Sequence, residues 1–116
     1  MNNEVVINGV VYVPKGDPAE GDGLEYCIVR TAQAGVYAGY VASRNGTEVV
    51  VRRGRRLWYW SGAVDLSQMS RDGVGQPGKC KFPPVVETVI LLGVVEILPC
   101  TAHAQASIQG VPEWKA

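Results

Sequence analysis

Two Asn-Gly pairs, each set between β-branched runs, constrain this chain more than anything else in it. Asn8-Gly9 divides Glu4–Ile7 from Val10–Val13, and Asn45-Gly46 divides the Val36–Ala42 segment from Glu48–Arg53. At Asn8-Gly9 a type I′ turn is expected, since it needs positive φ at both central residues, which Asn and Gly tolerate, and Arg44-Asn45-Gly46-Thr47 reads as another hairpin turn. Valine packs well on a pleated surface and loses rotamer freedom in a helix. The chain is therefore expected to be built of short antiparallel strands. Its 14 glycines and 7 prolines among 116 residues point the same way, to tight turns and not to long helices.

The first hairpin is followed by Lys15–Gly23, a Gly-, Pro- and acid-rich stretch that reads as a linker. The expected organisation is an N-terminal β-hairpin over 1–14, an acidic linker over 15–23 and one β-rich domain over 24–116. Within that domain Tyr26–Arg30 reads as a strand and Thr31–Gly35 as a turn. Val36–Ala42 and Glu48–Arg53 form the second hairpin. Gly54 interrupts the alternation and predicts a bulge or bend. Arg55–Trp60 reads as a continuing strand, with Arg55, Leu57 and Tyr59 on one face and Arg56, Trp58 and Trp60 on the other. Asp65 and Gln68 form the capping pattern of a helix over Leu66–Asp72, stopped at Gly73. Residues 74–84 are loop. Val85–Leu92 and Val94–Leu98 are strands, and Thr101 caps a last short helix reaching about Gln109. Val111–Trp114 is an edge strand or a packing tail. The sum is a β-rich α+β fold: a small twisted antiparallel sheet or partly open barrel with two short helices.

One stretch carries most of the functional signal. Arg52-Arg53-Gly54-Arg55-Arg56-Leu57-Trp58-Tyr59-Trp60-Ser61-Gly62 packs four arginines and three large aromatics together. Guanidinium groups bind phosphate or carboxylate through a planar fork, and aromatic faces stack on flat rings. Arg53, Arg55 and Arg56 are candidate anion clamps, and Trp58, Tyr59 and Trp60 candidate stacking platforms. Ser61, with the backbone amides that follow it, can hold a phosphate near a helix start. Lys81 can supply a second wall. The structural alternative is that Trp58 and Trp60 anchor the core while arginine stems lie over them.

Charge is zero overall but unevenly placed. Residues 1–26 carry Glu4, Asp17, Glu20, Asp22 and Glu25 against Lys15, whereas residues 44–81 carry eight basic side chains against Glu48, Asp65 and Asp72. A basic middle fits a local anion site and fits poorly with sequence-independent duplex binding, which needs a broadly basic domain. Cys27, Cys80 and Cys100 are scattered, with no C-x-x-C spacing, so neither a zinc site nor a disulfide framework is expected. No secretory signal is visible, and the apolar stretch from Val85 to Pro99 is broken by Glu87, Gly93 and Glu96. A cytoplasmic location is expected. His103 is the single histidine and has no local nucleophile around it. No motif for phosphate cradling, metal hydrolysis or acyl transfer occurs. Neither catalysis nor a cofactor is expected.

The segments Tyr26–Gly46, Glu48–Val51, Arg55–Ala63, Leu66–Gln68, Lys79–Pro83 and Glu96–Thr101 resemble a family of small uncharacterised proteins encoded by bacteriophages and prophages. The likeness covers about residues 24–114, and its most specific part is the string Arg-Arg-Leu-Trp-Tyr-Trp-Ser-Gly-Ala beginning at Arg55. It implies a phage context in the host cytoplasm and transfers no catalytic residue.

Three uses follow for such a chain. The first is a non-enzymatic binder of a small anionic molecule, such as a nucleotide-derived immune signal that a phage gains by sequestering. The second is a protein-interaction module that inhibits a host factor through the same Arg–Trp–Tyr run. The third is single-stranded nucleic-acid binding, which the neutral net charge disfavours. A homo-oligomer is expected, because small layers leave valine-rich strand edges and Trp114 to cover.

Overall fold

Five strands form one antiparallel sheet in the spatial order β4-β3-β2-β1-β5. They are β1 (Glu25–Thr31), β2 (Val36–Asn45), β3 (Glu48–Arg56), β4 (Val86–Leu91) and β5 (Val94–Pro99), with α1 (Leu66–Asp72) and a 3₁₀ turn (Pro77–Lys79) between β3 and β4, and α2 (Ala102–Gln109) after β5. The computed structural model describes residues 23–116. The expected N-terminal hairpin and all but the last residue of the acidic linker lie outside the described residues.

The outer strands β4 and β5 are consecutive in sequence, joined only by Leu92-Gly93. In a flat sheet of five strands they would lie ~19 Å apart. A two-residue link spans at most ~11 Å. The sheet must therefore curl until its two edges meet at that link. The packing agrees. Cys27, Val29, Tyr37, Val49, Val51 and Leu91 form one core, joined by Val41, Val89, Val94 and Ile97, so all five strands face one another inside the curl. A second core covers the other face of β1 and β2. There Tyr26, Ile28, Ala38 and Tyr40 pack under the helices with Leu57, Met69, Phe82, Ile108 and Val111. Of the two expected forms, a small twisted antiparallel sheet or a partly open barrel, the fold is the first: an open sheet, curled but not closed by a β4–β5 ladder.

Local chemistry explains the element ends. The Asp65 side chain accepts from Gln68 N at 2.9 Å and caps α1. The Gln68 carbonyl accepts from Val64 N at 2.8 Å, one residue short of the expected reach to Asp65. Thr101 caps α2 by accepting from Ala104 N at 3.0 Å. Caps of this kind are worth about 1 kcal/mol each. The tail packs as a lid on Phe82, with Trp114 N–H donating to Phe82 O at 2.9 Å.

The strand expected over Arg55–Trp60 is corrected: β3 ends at Arg56. Its partner β2 begins at Val36, and Leu57 N–H donates to Val36 O at 2.8 Å as the last inter-strand bond. Beyond that point β2 offers no further backbone to pair with. Tyr59 then makes an isolated bridge to Lys81. The expected break at Gly54 is a bulge. Arg53 takes φ +52°, and the register shifts opposite Gly39. A Cβ on Gly39 would sit 2.5 Å from Val51 Cγ1 and 3.0 Å from Gly54 Cα, so the two strands cross there in glycine-sized contact.

Candidate functional site

The bulge and the early end of β3 distribute the arginine–aromatic run over separate places. Arg52 and Arg53 point toward β4, where Glu87 lies 3.5 Å from Arg52 Nη2 and 3.9 Å from Arg53 Nη1. These pairs are well exposed and contribute little to stability.

Arg55 turns to the helix face and is only 2% exposed. Its Nη1 donates to Ile108 O at 3.1 Å and Val111 O at 2.8 Å, and its Nη2 donates to Phe82 O at 3.1 Å. The guanidinium carbon lies 5.4 Å from the Phe82 ring centre. The carbonyls at the end of α2 carry the negative pole of that helix and suit a cation. Burial nevertheless lowers the pKa of this arginine, and the nearby Tyr26 and Glu113 oppose that shift. Arg55 thus joins the tail, α2 and Phe82 through one charged group. This is a role between core packing and recognition that strand alternation alone does not show.

Arg56 faces the open end of the curl. It stacks 4.6 Å above the Tyr37 ring, and its Nη1 donates to Ala34 O at 2.6 Å. No carboxylate pairs with it among the described residues. It forms one wall of an open cleft of about 550 Å³ with Trp58, Trp60, Leu57 and the Gln33–Val36 turn. Trp58 is 62% exposed, while Trp60 is half-buried against the helix-side core. The alternative reading, in which both indoles anchor the core, therefore fails for Trp58. The expected shared face of Arg56, Trp58 and Trp60 is observed, although the segment is not a strand.

Tyr59 lies elsewhere, 53% exposed. Lys81 sets its ammonium 5.8 Å from the Tyr59 ring and 5.5 Å from the Trp114 ring, a lysine held between two aromatics. Lys81 is thus not a second wall of the Arg56 cleft. Ser61 is bound to the Gln76 side chain. The helix start after it is capped by the Asp65 carboxylate, which opposes a phosphate there.

A second, more enclosed concavity of about 210 Å³ is lined by Tyr26, Arg53, Arg55, Val85 and Gln109. Sequence reading picked out its two arginines and missed Tyr26, Val85 and Gln109, which lie tens of residues away in the chain. Only sheet pairing and helix docking bring them together. Trp114 beside Lys81 was missed for the same reason. The Gln33–Gly35 part of the cleft was expected only as a turn.

The cysteines are free thiols. Burial pushes Cys27 up to about 12 and Cys100 up to about 11. In the unfolded chain such thiols ionise at lower pH. Raised folded values mean that their contribution is fully present below the unfolded pKa and is lost as pH climbs through the folded one. The unfolding free energy is therefore expected to fall between pH 9 and 11, and to fall less in Cys27→Ala. Urea melts at stepped pH check this, and a flat profile contradicts it. Among the described residues no group of three His, Cys, Asp or Glu side chains could hold a metal ion, and no helix is long and apolar enough to cross a membrane.

Fold and site together define a small β-rich domain: a curled five-stranded sheet, two short helices, and an arginine–aromatic segment leaving the end of β3. The chain belongs to the family described as Domain of unknown function (DUF6948), whose model matches residues 24–108. That span holds the whole sheet, the Arg56 cleft and most of the Arg55 environment, and stops short of Trp114. No curated protein and no solved structure matches the chain.

Proposed function

We propose that the protein binds a small, flat, anionic ligand in the cleft between Arg56, Trp58 and Trp60, and holds it without chemical change. One observation carries this reading. A guanidinium that has no carboxylate partner among the described residues stands beside an indole exposed over more than half its surface, in a cleft of about 550 Å³. That volume suits a ligand of nucleotide size. The stacked face of Arg56 is covered by Tyr37, which leaves its edge for a phosphate or carboxylate. No side chain lining the cleft is a carboxylate, hydroxyl, thiol or imidazole, so none is placed to act as nucleophile or general base.

The resemblance to phage-encoded proteins supports a finer reading. The ligand is a nucleotide-derived signal of host immunity, sequestered in the host cytoplasm by a counter-defence protein. Titrating intrinsic tryptophan fluorescence with cyclic nucleotides and ADP-ribose tests it. We expect saturable quenching by at least one of them. Arg56→Ala and Trp58→Ala are each expected to weaken binding about tenfold or more, with little change in melting temperature, since a charge-assisted hydrogen bond or a stacked ring is worth about 1–3 kcal/mol. Absence of quenching across the panel counts against the proposal.

A second reading is favoured by the exposed Trp58, Tyr59 and Trp114, which are residue types that dominate protein interfaces. Retention of a host protein on purification, lost in Trp58→Ala, would select it. Steep salt dependence of oligonucleotide binding would select single-stranded nucleic acid instead. Self-association is proposed through the edge strands β4 and β5, where Ile90, Leu92 and Val95 are exposed. A monomer by sedimentation at micromolar concentration would remove that part alone.

A further inference from the structure

We propose that the concavity between β1, β3 and the end of α2 is a second binding site, specific for a small oxyanion, with Arg55 and Tyr26 as its recognition residues. It shares no lining residue with the Arg56 cleft. At about 210 Å³ it has room for a carboxylate or phosphate group.

A guanidinium carries five N–H donors. Two bonds leave Arg55 through Nη1 and one through Nη2, all to main-chain carbonyls. What remains is the Nε hydrogen and one on Nη2. Nε is buried and has no partner. Donors on these two nitrogens make the fork that receives the two oxygens of a carboxylate or phosphate. A buried donor left unmade destabilises the fold, which carries that cost unless something fills the site.

Charge points the same way. Arg55 is a buried cation whose hydrogen bonds all go to neutral carbonyls, and among the described residues none that lines the concavity is acidic. A buried charge normally has a counter-charge. Among the described residues Glu113 acts on Arg55 electrostatically, but its carboxylate accepts from Val85 N at 3.2 Å and lies 3.9 Å from Lys115 Nζ. It does not hydrogen-bond to Arg55. Tyr26 brings a phenol into the same space, only 5% exposed and with no hydrogen-bond partner among the described residues. Burial raises its pKa above the ordinary phenol value, so at neutral pH the hydroxyl keeps its proton and is a donor. Gln109 is held in place by its Nε2 donating to the Tyr40 hydroxyl at 3.1 Å. Arg53 also lines the space, and the assignment does not depend on it.

The test is thermal melting and calorimetry of the full chain with sodium phosphate or sodium acetate, at ionic strength held constant with sodium chloride. The expected result is a saturable rise in melting temperature and one site per chain for at least one anion. The two arms decide whether phosphate or carboxylate is preferred. Tyr26→Phe keeps the ring in the core and is expected to weaken binding about tenfold. Gln109→Glu places a carboxylate in the site. It is expected to abolish binding and to raise the melting temperature of the anion-free protein. Trp58→Ala is expected to leave this binding unchanged, which separates the site from the cleft. No saturable response to either anion beyond that of chloride overturns the proposal. So does equal affinity in wild type, Tyr26→Phe and Gln109→Glu.

Discussion

Arg55→Ala is expected to destabilise the protein by about 3–5 kcal/mol, the largest loss of any single change in the arginine run. Three main-chain carbonyls lose a donor at once: Ile108 O and Val111 O at the end of α2, and Phe82 O before β4. Ile108 O keeps the Val111 N–H and Phe82 O keeps the Trp114 N–H, whereas Val111 O is left with no donor among the described residues, and a buried acceptor left unmade costs about 1–3 kcal/mol. The contact with the Phe82 ring is lost as well. For a domain of this size the melting temperature should fall by more than about 10 °C. Arg55→Lys is expected to recover only a fraction. An ammonium is a point charge on a flexible stem and cannot span three carbonyls as a planar fork does. Arg53→Ala, on an exposed side chain, should cost less than about 1 kcal/mol. Equal melting temperatures for the Arg55 and Arg53 variants would contradict the structural role given to Arg55.

The second large effect is expected at Gly62, which follows the aromatic run directly. Its φ is +94°, a region that L side chains enter at a cost of about 1–2 kcal/mol. A Cβ there would also lie 2.4 Å from Gly75 N and 2.6 Å from Gln76 N, which are main-chain atoms that cannot step aside alone. Gly75 N–H donates to Gly62 O at 3.0 Å, so the two chains are in backbone contact. Gly62→Ala is expected to cost roughly 2–4 kcal/mol in all, adding the strain of displaced packing. It is also expected to shift Trp60, and with it the ligand response of the cleft. Urea melts together with tryptophan emission check both. Gly78→Ala is the control, because nothing lies within 4 Å of a Cβ there.

Local chemistry made much of the fold readable. Gly46, at φ +65°, turns the chain between β2 and β3, with Asn45 closing β2 opposite Glu48 so that the turn is centred on Gly46-Thr47 and not on Asn45-Gly46; Asp65 and Thr101 cap α1 and α2, and Gly73 ends α1. Each of these is settled by a residue and its near neighbours. Tyr37 and Tyr40 fall on opposite faces, as their spacing requires, one in each core. The extent of β3 was not readable in the same way. Arg55–Trp60 alternates like a strand, but a strand needs a partner, and β2 has no residue left to offer beyond Val36.

The candidate site divides along the same line. The types of residue that could bind an anion stand in the open in the sequence, because arginine and tryptophan carry that chemistry wherever they lie. Which of them meet is decided at long range. The bulge at Arg53 and Gly54 lets Arg55 enter the helix-side core while Arg56 faces the open end of the curl. The docking of α2 then sets Gln109 beside Tyr26, and the tail sets Trp114 beside Lys81. Covalent neighbours dictated turns, caps and strand alternation, since those free energies arise within a few residues. The separation of one basic run into a buried anchor, an open cleft and a lysine between two rings came from the tertiary structure alone. It depends on which distant carbonyls and rings the curled sheet carries to each guanidinium.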